Sequence, residues 1–118
     1  MALTTDSSLR AAVANDSSLA EIFSKQVRGL GKAGDILFAI STSGNSRNVV
    51  AAIEAAHLKG MHVVGMTGRN GGKVASLMKS GDVLLNVDSQ VTTRIPEVHL
   101  LTLHCLCAAI DNLIFGEL

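Results

Sequence analysis

The sequence predicts an α/β domain of three layers, a parallel sheet held between helices. Three observations carry that prediction. Short continuous apolar runs at residues 35–40, 61–66 and 82–87 alternate with stretches whose apolar residues recur at helical spacing. The first of these runs is bounded by turn residues and has the form of a strand buried on both faces, as parallel sheets require. The 118 residues also contain no repeat, linker or low-complexity tract, so a single layered unit accounts for residues 1–118.

Taken in order, residues 2–5 are short and β-compatible and run into an Asp and Ser cluster at 6–8. Ser18 and Glu21 form a capping-box pattern ahead of Ile22, Phe23, Val27 and Leu30, which lie at helical spacing. Gly29, Gly31 and Gly34 close that helix, and the strand 35–40 follows. A polar turn, 41–46, leads into a helix carrying Val49, Ile53 and Ala56, with Lys59 in its last turn and Gly60 as its stop. Strand 61–66, turn 67–72, a short helix 73–79 and strand 82–87 come next. The last helix starts at Pro96, in the tolerated first position, and runs to about Phe115, with Gly116 as terminator. It is apolar nearly all the way round, so burial on more than one side is expected, in the core or against a second subunit.

Composition excludes several classes. Ten acidic and ten basic residues give zero formal charge, which offers no footprint for nucleic acid or an anionic membrane surface. Without Trp or Tyr and with three Phe, stacking of bases on aromatic rings is also excluded. The N-terminus has neither the basic start nor the apolar run of a secretion signal. His99 and His104 interrupt the longest apolar stretch, residues 98–110, leaving it too short for a bilayer span. A cytoplasmic protein without membrane contact is the expectation, with Cys105 and Cys107 as buried reduced thiols, because a spacing of two is not a C-x-x-C pair.

In α/β folds ligands sit at the carboxyl ends of strands, so the strand-to-helix turns are where function is sought. The 41–46 turn, Ser-Thr-Ser-Gly-Asn-Ser, offers four hydroxyls, a Gly and a helix start, which together can surround a phosphate. It is neither a Walker loop nor a dinucleotide G-x-G-x-x-G pattern. An ordinary Ser-rich turn in which Ser46 merely caps the next helix reads equally well from the chemistry alone.

Residues 34–46, Asn15-Asp16, the turn 67–72 and the Arg94-Ile95-Pro96-Glu97-Val98-His99 segment together resemble the sugar-isomerase (SIS) family, in its phosphoheptose isomerase branch. The likeness covers essentially the whole chain. It implies a flavodoxin-like three-layer αβα fold and conversion of sedoheptulose 7-phosphate to D-glycero-D-manno-heptose 7-phosphate, for lipopolysaccharide precursors. It assigns phosphate binding to Ser41, Thr42, Ser43 and Ser46 and sugar contact to Asn15 and Asp16. His104 matches a histidine that serves as acid/base or, in some members, as a zinc ligand; without the resemblance it reads as a core or interface histidine. His57, His62 and His99 read as structural.

Two departures stand out. Pro96 replaces the Gln of the family's R-I-Q-E pattern, and Pro can neither coordinate nor donate, which undercuts the zinc arrangement. No Glu matches the family's base, and the family's leading helices and first strand have no counterpart, so the chain reads as the rear, C-terminal portion of the domain. The resemblance further implies a homotetramer; the alternative, with the family's leading helices missing as its usual neighbours, is that the last helix of the isolated chain exposes an apolar patch and associates or aggregates. A second reading is a non-catalytic SIS protein that binds the replication initiator DnaA. That protein has Arg where this chain has Ser43 and Asn where it has His104, so both positions favour the isomerase branch. A phosphosugar-sensing transcription regulator would need a helix-turn-helix for which there is neither length nor charge.

Overall fold

The computed structural model describes residues 1–4 and 19–116. Asn15, Asp16 and Ser18 lie outside the described residues. A single 3-10 turn, Leu19–Glu21, leads into α1 (Ile22–Leu30), followed by β1 (Ile36–Ser41), α2 (Arg47–Leu58), β2 (His62–Gly68), α3 (Gly72–Leu77), β3 (Val83–Val87) and α4 (Arg94–Phe115). The strands form one parallel sheet in the order β1-β2-β3. Ser41 pairs with Thr67 and Gly68 with Val87, so the three strand ends and the turns after them share one edge.

Helices lie on both faces of β2. Gly65 and Gly68 are three apart on β2 and therefore face opposite sides of the sheet. A Cβ built on Gly65 would lie 3.3 Å from Val74 of α3, and one on Gly68 would lie 2.6 Å from Ile95 of α4. The larger core joins Val27 of α1 with Leu37 and Ala39 of β1, Val63 of β2, Val74, and the buried side of α2. On α2 that side is Val50, Ala52, Ile53, Ala55 and Ala56. Its alanines let neighbouring elements approach closely, while Ile53, wholly buried, contributes about 2–3 kcal/mol by removal from water. Lys59 and Gly60 end α2 through N–H bonds to Ala55, Ala56 and His57 carbonyls, with Gly60 at φ +75°.

The three-layer reading holds, and several local expectations need correction. Leu3 and Thr4 form a turn, not strand. Glu21 sits at the N-cap of α1 without a side-chain cap bond. β1 is buried on one face only: Leu37, Ala39 and Ser41 point inward, while Ile36, Phe38 and Ile40 are exposed, because no described helix covers that side. α4 begins at Arg94 after Thr93, which puts Pro96 at the third helical position, still inside the first turn where no N–H is needed.

α4 is not the core helix of this chain; it exposes an apolar patch, the alternative to burial. Of its 22 residues only Ile95 and His99 are buried. Leu113 is 83% and Phe115 72% exposed, so the apolar circumference is largely uncovered by the described residues. Cys105 and Cys107 are exposed, not buried thiols. By length and composition alone α4 is long and apolar enough to cross a membrane, so His99 and His104 do not break it as expected.

Candidate phosphate-binding site

The loop between β1 and α2 is organised around one hydroxyl. Ser41 is the last β1 residue, 4% exposed, and its Oγ accepts N–H bonds from Gly44 (3.1 Å) and Ser46 (3.4 Å) while donating to Ser46 Oγ (3.0 Å). The Gly44 N–H also reaches the Ser41 carbonyl at 3.1 Å, and the Asn45 N–H donates to Ser43 Oγ at 3.1 Å. Residues 41–46 are thereby folded into a tight turn rather than an open crossover.

Ser46 occupies the N-cap of α2 but makes no side-chain cap bond. Its hydroxyl is taken by Ser41 instead. Val49 N–H is satisfied by Asn48 Oδ1 at 2.9 Å, whereas the N–H groups of Arg47 and Asn48 make no hydrogen bond among the described residues. Among the described residues, the N-terminus of a twelve-residue helix thus keeps two free donors and the positive end of its dipole beside the Ser41–Ser46 hydroxyl pair. No Lys or Arg lies within 41–46, so an anion would be held by hydroxyls, N–H groups and dipole.

Beneath the loop lies the turn after β2. Gly44 has φ +73°, and a Cβ there would come within 2.0 Å of the Gly71 carbonyl oxygen. Only glycine permits that approach. Arg69, at φ +55°, turns the chain, and its carbonyl accepts Asn86 Nδ2 (2.9 Å) while its Nη2 donates to Thr92 Oγ1 (3.2 Å). Thr67 Oγ1 donates to Asn86 Oδ1 at 2.8 Å. On the far side, His99 Nε2 donates to the Thr67 carbonyl at 2.7 Å, which fixes the proton on Nε2. Asn86 was not singled out by sequence, although an Asn in the middle of an apolar strand is itself a signal.

Of the four hydroxyl residues, the structure joins Ser41 to Ser46 by a hydrogen bond and folds Ser43 into the same turn through the Asn45 N–H, while the Thr42 hydroxyl makes no hydrogen bond among the described residues. His104 is exposed on α4, nine residues beyond Ile95 and about 13 Å further along the helix axis, and makes no hydrogen bond among the described residues. His99 and His57 are structural, as expected. His57 Nε2 lies 2.7 Å from Asp82 Oδ2, with side chains 8% and 3% exposed. Burial raises the Asp82 pKa, but the N–H groups of Lys79 and Val63, with His57, outweigh it and hold the carboxyl below the usual carboxylate range.

The zinc implied by the resemblance does not fit what is present. Among the described residues no three His, Cys, Asp or Glu side chains gather to hold a metal ion, and Pro96 supplies no donor.

Comparisons with known proteins agree with this architecture. The family profile described as SIS domain matches residues 1–68. A phosphoheptose isomerase of Chromohalobacter salexigens is 60% identical over 117 residues, which is 99% of this chain and 59% of that protein. One from Dechloromonas aromatica is 55% identical over 116 residues, 98% of this chain and 59% of that protein. The chain thus spans 59% of the length of these curated relatives. The solved structure of phosphoheptose isomerase GmhA from Neisseria gonorrhoeae superposes with a TM-score of 0.93 at 54% identity, covering 95% of this chain and 61% of that one. With the profile matched over more than half its length and the same fold at high identity, the chain belongs to the SIS domain family.

Proposed function

We propose that the chain serves phosphoheptose isomerase chemistry, binding the phosphate of sedoheptulose 7-phosphate, whose isomer is D-glycero-D-manno-heptose 7-phosphate, a lipopolysaccharide precursor. The observation that carries the proposal is the 41–46 loop, where the Ser41–Ser46 hydroxyl pair precedes the N–H groups of Arg47 and Asn48, which are unpaired among the described residues; Thr42 and Ser43 join them in the proposed phosphate-binding group. A phosphate accepts from such donors without needing a cationic side chain. The similarity to phosphoheptose isomerases supports the isomerase reading. None of the relatives reported above is an initiator-binding protein, and Ser43 and His104 keep the residue types of the isomerase branch.

Isomerisation moves a proton between adjacent sugar carbons and needs a positioned base. Residues 41–46 and 67–72 contain no carboxylate, so the role assigned to them is binding. Asn15 and Asp16 as sugar contacts and His104 as acid/base belong to the same proposal. So do a cytoplasmic setting and a homo-oligomer, a tetramer in the family pattern, whose contacts would cover the exposed apolar side of α4.

Calorimetric titration with sedoheptulose 7-phosphate tests the binding claim. The Ser41→Ala, Ser46→Ala double variant is expected to bind at least about tenfold more weakly than wild type, as loss of a buried donor-acceptor centre implies. Equal affinities would overturn the assignment.

A further inference from the structure

We propose that Asn45 is a positioning residue of the phosphate loop: it caps α3 from across the fold and so decides which of two neighbouring helix starts keeps its N–H groups free. The inference rests on the phosphate-binding reading above and adds a residue that reading does not use.

α3 begins without a cap of its own, since its N-cap is Gly71, which has no side chain to offer. Its first three N–H groups nevertheless all find acceptors. Gly72 N–H donates to Asn70 Oδ1 (3.1 Å), Lys73 N–H to Asn45 Oδ1 (2.9 Å) and Val74 N–H to the Gly44 carbonyl (2.9 Å). Two of those three acceptors come from the 41–46 loop, and the Asn45 contact joins residues 28 apart in sequence.

The loop can reach α3 because nothing stands between them. A Cβ on Gly72 would lie 2.6 Å from the Ser43 carbonyl oxygen and 2.7 Å from Asn45 Oδ1. Ser43, Gly44 and Asn45 are thus seated on the first turn of α3, which consumes that turn's donors. The α2 start, a few residues on, has no such partner at Arg47 and Asn48 among the described residues. Asn45 itself is exposed, so its amide does little for the core and much for the shape of the loop. Without it, the Lys73 N–H loses its acceptor and the loop keeps one backbone bond to α3.

The test combines calorimetric titration of sedoheptulose 7-phosphate with amide hydrogen exchange on wild type, Asn45→Ala, Gly72→Ala, their double variant, and Ser41→Ala. Asn45→Ala is expected to weaken binding about fivefold, the worth of one net hydrogen bond, with faster exchange at Lys73 and Val74 and a melting temperature within a few degrees of wild type. Gly72→Ala disturbs the same contact from the α3 side, so its loss and that of Asn45→Ala are expected to be less than additive. Additive losses would mean that Asn45 touches the ligand directly, and would overturn the proposal. Wild-type affinity in Asn45→Ala beside weakened binding in Ser41→Ala would refute the positioning role while leaving the phosphate loop standing. Wild-type affinity in both would sink the loop reading and this inference with it. The exchange measurement needs only Asn45→Ala, so it remains decisive if Gly72→Ala does not fold.

Discussion

Asp82→Asn tests how much of the scaffold hangs on one buried carboxylate. Asp82 Oδ1 accepts the Val63 N–H at 2.9 Å, and Oδ2 accepts the Lys79 N–H at 2.9 Å and faces His57 Nε2 at 2.7 Å. An amide of the same shape keeps an acceptor on one side only. The other side turns an NH2 group toward an N–H donor, that of buried Val63 in one orientation and of exposed Lys79 in the other, at a cost of about 1–3 kcal/mol for the unsatisfied donor. The surviving bonds also lose charge assistance, which roughly halves their strength. Together these give a loss of about 2–4 kcal/mol at pH 7. Because the folded-state pKa of Asp82 is lowered from 3.8, its stabilisation is complete above about pH 4 and disappears as pH falls through the lower folded value. The gap between wild type and variant should therefore narrow in acid. Urea unfolding followed by far-ultraviolet circular dichroism at pH 7 and pH 3 measures both. A gap below about 0.5 kcal/mol at pH 7, or one that does not change with pH, would refute the reasoning.

Two further substitutions probe the layers around the loop. Gly44→Ala puts a side chain at φ +73° and within 2.0 Å of the Gly71 carbonyl oxygen, so a destabilisation above about 2 kcal/mol is expected in thermal melts; an unchanged melting temperature would contradict the seating of the loop on the β2 turn. His99→Leu leaves the Thr67 carbonyl, in a fully buried residue, without its 2.7 Å donor, and a loss of about 1–3 kcal/mol is expected in denaturant titrations. A neutral or stabilising result would show that packing, not the hydrogen bond, is what His99 supplies.

Local patterns made much of the molecule legible before its structure was known. The spacing of Val49, Ile53 and Ala56 and the stop at Gly60 mark α2, and the apolar runs mark the three strands, because periodicity and glycine conformations act over a few residues. The 41–46 loop was legible for the same reason. Coverage was not: composition says that Phe38 and Leu113 are apolar, but whether anything lies over them depends on distant parts of a chain or on another chain. The expectation of buried thiols at Cys105 and Cys107 failed for the same reason. Asn45 and Lys73 meet across 28 residues, a distance no local window spans, and Ser46 exchanges a familiar capping role for a bond to Ser41 that only the tight turn creates.

The parallel register has a kinetic consequence. Parallel neighbours require helical crossovers, so β1 and β2 can pair only after α2 has been traversed, and β3 only after α3. The loop rests on the start of α3, and the turn beneath it is fastened by Asn86 of β3 and His99 of α4. An intermediate with β1 and α2 alone would hold every hydroxyl of the loop and its internal bonds to Ser41, and none of its support from β2, α3, β3 and α4. On the proposed binding role of the loop, ligand binding reports completion of the three-stranded sheet, and the rate at which binding competence returns during refolding should match the slowest long-range pairing rather than the fast formation of local helix.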